Sequence, residues 1–74
     1  MQEPQSTSTQ NDVYNVVSVL YHSLREAQTC ECYKQDAQSQ GQQEIAQFFN
    51  DEQQAANKHA EQARNLLSQI RSDR

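Results

Sequence analysis

The chain has 74 residues, a net charge of −4 and only 34% hydrophobic residues, with no tryptophan. That length allows one small domain at most, and so polar a chain buries too little apolar surface alone to offset its conformational entropy. The acidic balance, with Lys and Arg scattered rather than clustered, argues against nucleic acid as a partner. The longest apolar stretch, Val16 to Tyr21, is interrupted by Ser18 and falls far short of a membrane span. Self-association is the expected remedy for a chain of this kind. The N-terminus shows no charged segment followed by an apolar one, so the expected location is cytoplasmic.

Residues 1–8 are polar, include the sole proline, and read as a disordered tail. Thr9-Gln10-Asn11-Asp12 then offers a capping-box-like start, with Asn11 as an alternative N-cap. A first helix is predicted from about residue 11 to about residue 39. Val13, Val16, Val17, Leu20, Leu24 and Ala27 mark its apolar stripe at three- and four-residue steps. Cys30 and Cys32 fall two apart on this helix, about 200° around its axis, which suits neither an intrahelical disulfide nor a shared zinc ion. Two thiols in a reducing compartment, a bridge between subunits or a redox role are the readings left.

Gly41, the only glycine, suits the left-handed position that ends a helix. A second helix is predicted from about 43 to 71. Ile45, Phe49, Glu52, Ala56, His59, Ala63, Leu66 and Ile70 alternate four- and three-residue steps, the pattern of a continuous packing seam. Phe48, Ala55, Ala60 and Leu67 widen that stripe on its flanks. The glutamines at 35, 38, 47, 53, 54 and 62 read as solvated surface.

Two helices joined by so short a turn must lie antiparallel, so the predicted fold is all-α, a long helical hairpin over residues 9–74. Alone, the hairpin exposes much of its apolar stripe, including Val16, Leu20, Phe48, Phe49 and Leu67. Pairing two copies about a two-fold axis closes a four-helix bundle and buries on the order of 1,500–3,000 Å².

Glu52 and His59 fall on the predicted seam, and Glu26, Cys30, Tyr33 and Ala37 continue a stripe beside the apolar one on the first helix. Carboxylates and imidazoles projecting inward from facing helices are how di-metal bundles build their sites. Ser23-Leu24-Arg25-Glu26, Tyr33 seven residues beyond that Glu, Ala37 and Gly41 together resemble the first helix and turn of rubrerythrin-type ferritin-like proteins. Ile45-Ala46-x-Phe48-Phe49 followed by His59-Ala60-Glu61 is similar to their second helix. The spacing also resembles encapsulated ferritins, two-helix half-ferritins that dimerise, and the likeness covers roughly residues 20–63.

The resemblance implies a ferritin-like four-helix bundle formed by a homodimer, with Glu26 as the first-helix metal ligand and His59 as the second-helix histidine. It places Tyr33 beside that site. Where the family carries a bridging carboxylate three residues before the histidine, this chain has Ala56. Glu52 lies seven residues, about 10 Å, from His59 along the axis, too far for both to bind one ion directly. Glu31 and Glu61 lie off the best stripes and read as solvated.

Two readings follow. The first is a helical protein that associates with itself through its apolar face, with a degenerate metal site and no di-iron oxidase activity. There Glu26 and His59 hydrogen-bond each other across the interface. The alternative is a rubrerythrin-like protein that binds iron, manganese or zinc. Two copies of Glu26 and His59 would then hold one divalent ion, with Tyr33 and Glu52 standing behind them. No Gly-rich phosphate loop or nucleophile motif supports a hydrolase or transferase.

Overall fold

The structure, a computed structural model, describes residues 9–72, with side chains described over 11–70. The expected tail, residues 1–8, lies outside the described residues. Helix α1 spans Thr9–Ser39 and helix α2 spans Gln43–Ser72, and the two pack side by side as an antiparallel hairpin. No helix among the described residues is long and apolar enough to cross a membrane.

The helix α1 begins at Thr9, so Asn11 is inside it rather than at its N-cap. The capping-box-like start expected from Thr9 rests on a side chain outside those described. Asp12 accepts a 2.8 Å bond from the backbone N–H of Val13, a carboxylate in the first turn where the helix dipole favours negative charge.

The turn is a complete Schellman motif. Gly41 has φ 74°, Gln42 N–H donates to the Ala37 carbonyl at 2.9 Å, and Gly41 N–H donates to that of Gln38 at 3.0 Å. The Gln42 carbonyl then accepts the first bond of α2, from Ala46 N–H at 2.9 Å. One residue therefore closes α1 while the next opens α2, which leaves the helices no choice but to fold back. A Cβ added at Gly41 would meet nothing within 4 Å, so glycine is needed there for its backbone and not for space.

The seam between the helices runs through Val13, Val16, Leu20, Ser23, Ala27, Cys30, Lys34 and Ala37 on α1. On α2 it runs through Ala46, Phe49, Gln53, Ala56, Ala60, Ala63, Leu67 and Ile70. Each of these residues is buried or half-buried, and each set advances by alternating steps of three and four. The buried ones are Ala27, Cys30, Ala37, Ala46, Ala56, Ala60 and Ala63, and no large side chain among the described residues is completely enclosed. Small side chains let the helices approach closely. They also bring little driving force, about 0.8 kcal/mol for each buried carbon.

This seam differs from the sequence-based one. Phe49, Ala56, Ala63 and Ile70 face α1 as predicted. Ala46, Gln53, Ala60 and Leu67 take the places expected of Ile45, Glu52, His59 and Leu66, all four of which are exposed. The apolar arc of α2 is wider than one seam, and α1 packs on the edge of it that is rich in alanine. Val16, Leu20, Phe49 and Leu67 are accordingly half-buried within one hairpin, whereas Phe48 remains 58% exposed.

Candidate functional site

The positions bordering the seam give the hairpin two unlike sides. On one side lie residues 19, 26 and 33 of α1 and 45, 52, 59 and 66 of α2, seven apart on each helix. Val19, Tyr33, Ile45, Phe48 and Leu66 are exposed here, between 45% and 58%. Near the turn, Tyr33, Ala37, Ile45 and Phe49 line a groove of about 290 Å³. The Phe49 ring stands 5.2 Å from that of Tyr33 and 5.4 Å from that of Phe48. Near the open end, Val16, Val19, His59, Ala63 and Leu66 line a second groove of about 280 Å³. The side is thus apolar at both ends.

Its middle is not. Glu26, Glu52 and His59 are all exposed and share this side. They are displaced by one residue from the buried seam, and the described residues include no buried polar or charged side chain. Cys30 is buried beside this stretch. Burial pushes its thiol above the usual range, and the charges of Glu26 and Glu52 push it the same way. Cys32 points out of the opposite face of α1, and both thiols are free. No intrachain bridge forms, as their spacing required.

The chain therefore places Glu26, His59, Tyr33 and Glu52 on one side of the hairpin. Among the described residues, no group of three or more His, Cys, Asp or Glu side chains comes close enough to hold a metal ion. Ala56, the position where the resemblance implied a bridging carboxylate, is 5% exposed and lies in the seam with α1.

The other side is organised by a polar network near the turn. Lys34 Nζ donates to Asn50 Oδ1 at 3.4 Å and to Gln53 Oε1 at 3.2 Å, and pairs with Glu31 Oε1 at 3.2 Å. Gln53 Nε2 donates to the Ala27 carbonyl at 3.2 Å and to Glu31 Oε1 at 2.9 Å, and Gln35 Nε2 reaches Glu31 Oε2 at 2.9 Å. These bonds hold the Glu31 carboxyl below its ordinary range, with the bond from Gln53 foremost, then those from Gln35 and Lys34. Lys34 and Gln53 occupy seam positions, where polar residues fix register between helices.

Gln53 is thus not solvated surface, contrary to the sequence-based reading, whereas the Glu31 side chain it bonds stays 41% exposed. The signal was present in the steps Phe49, Gln53, Ala56. Toward the open end this second side changes character, and Tyr14, Val17, Tyr21 and Leu24 are exposed there. The Arg25 guanidinium lies 6.0 Å from the Tyr21 ring.

No protein-family model matches this chain, and neither a curated protein nor a solved structure matches it.

Proposed function

We propose that this chain is a self-association module: two copies pair through the side carrying Tyr33, Ile45, Phe48 and Leu66 and close a four-helix bundle. The plan is that of a ferritin-like bundle with a degenerate metal site and without di-iron oxidase activity. The observation that carries this reading is the mismatch between core and surface. The hairpin buries alanines and one cysteine while leaving Ile45, Phe48 and Leu66 of α2 exposed to water. A face of that kind marks an interaction site, and a two-fold pairing lets each copy cover the other with the same residues.

Sedimentation equilibrium on the full chain tests it. The native chain is expected as a dimer, and Phe48→Glu as a helical monomer, since Phe48 lies outside the seam. A native chain that stays monomeric while helical contradicts the reading.

A second reading, metal binding, draws on Glu26 and His59 sharing that side. In a dimer, two carboxylates and two imidazoles suit one Zn²⁺, Mn²⁺ or Fe²⁺ ion. Native mass spectrometry after challenge with each ion decides it, and the lack of any stoichiometric metal in the dimer sinks it. Ala56→Glu is expected to strengthen iron binding in a ferritin-like register. Because Ala56 is buried, that variant should be judged by metal stoichiometry and not by stability.

A further inference from the structure

The two ends of the uncovered side differ in bulk. Its turn end carries the rings of Tyr33, Phe49 and Phe48, with successive centroids 5.2 and 5.4 Å apart. Its open end offers Val16, Val19, Ala63 and Leu66 around a groove of about 280 Å³, close to the 290 Å³ of the groove beside the rings.

Charge divides the hairpin the same way. Residues 25–57, the half next to the turn, hold Glu26, Glu31, Asp36, Glu44, Asp51 and Glu52 against Arg25 and Lys34, a net charge of −4. The described residues of the other half hold Asp12 and Glu61 against Lys58 and Arg64, which balance. From residue 13 to residue 24, α1 has no acidic side chain.

A two-fold pairing along the hairpin can run in two directions. With turn on turn, each half meets its own copy, so the two acidic halves lie together and rings face rings. With turn on open end, the acidic half of each copy lies along the balanced half of the other. The acidic halves then stand about 15 Å or more apart along the bundle, beyond the Debye length of about 8 Å at physiological salt. Large side chains also face small ones, which lets two layers interdigitate. Glu26, near the middle, meets its own copy in either direction and so does not choose between them.

We infer that the two copies run antiparallel, with Tyr33 and Phe48 of each seated against Val19 and Leu66 of the other. This rests on the pairing proposed above and adds the direction in which the second copy runs. Like charges set face to face disfavour the wrong arrangement, as they do between mismatched partners.

Pulsed electron spin resonance on the full chain tests the direction. Cys30→Ala and Cys32→Ser remove the native thiols, and a nitroxide is attached at Gln38→Cys, exposed near the turn. Antiparallel copies should hold their two labels about 40 Å apart or more, whereas turn-on-turn copies leave only the bundle thickness, about 20–30 Å, between them. Labels at Gln47→Cys repeat the reading from a second exposed site near the turn. Mixing chains labelled at Gln38→Cys with chains labelled at Asn65→Cys, exposed near the open end, should reverse it and give a mixed pair within about 30 Å. Short distances between turn labels, with a long mixed distance, overturn the direction and leave the pairing standing. A helical chain that is monomeric by sedimentation, native and labelled alike, overturns both.

Discussion

Beside the turn, the side of the hairpin carrying Lys34 and Gln53 meets its polar groups within the chain, through bonds to Glu31, Asn50 and the Ala27 backbone. The opposite side carries Phe48, Ile45 and Leu66 and leaves them uncovered. The same two helices supply both sides, yet the first satisfies its groups in a single copy only near the turn, and toward the open end it too leaves Tyr14, Val17, Tyr21 and Leu24 exposed. A network of modest bonds is enough to set register, because each bond needs only direction. Apolar side chains need area, and a single layer of two helices has none to spare.

The contrast can be broken from either side. The largest effect is expected from Phe48→Glu combined with Leu66→Glu. Charges placed at two apolar anchors should weaken association by more than about 100-fold, read as a shift from dimer to monomer with concentration. Next comes the seam. Ala60 is 1% exposed, and Ala60→Leu has no room between the helices, so urea unfolding should show a loss of about 1–3 kcal/mol. Gln54→Leu, on the exposed surface, should stay within about 0.5 kcal/mol at the same protein concentration.

The cysteines sharpen the comparison of buried and open positions. Cys30 is enclosed, and burial with the charges of Glu26 and Glu52 suppresses its thiolate, whereas Cys32 is exposed. Mass spectrometry of alkylated protein near pH 7 should find Cys32 modified at least about tenfold faster. Equal rates would mean that the seam opens readily. Gly41→Ala should cost about 1 kcal/mol, through the left-handed backbone alone.

The smallest effect belongs to Glu31. Its carboxyl is held below the ordinary value of 4.5. The stability it contributes is therefore present above that value and is lost as pH falls through the lowered one. Urea midpoints taken on either side of that range should differ less in Glu31→Gln than in the native chain.

Much of this fold was legible in the sequence. The two helices, the turn at Gly41 and the hairpin follow from periodicity and one glycine in a left-handed conformation. The phase of α2 was not legible, because two stripes interleave there and share Phe49, Ala56, Ala63 and Ile70. Hydrophobicity favours the stripe with Ile45 and Leu66. Close packing favours the one with Ala46 and Ala60, and it is the stripe that faces α1. The same shift explains Glu52 and His59, which looked like buried polar residues and are exposed beside the seam. Gln53, read as surface, became part of the network because its neighbours at Glu31 and Lys34 come from the other helix, out of reach of any local pattern.

The central claim is that the open side is covered by a second copy. Sedimentation equilibrium of the full chain at micromolar concentration tests it most directly. Twice the chain mass is the predicted result. A single chain mass that persists as concentration rises, with helicity intact, would contradict it.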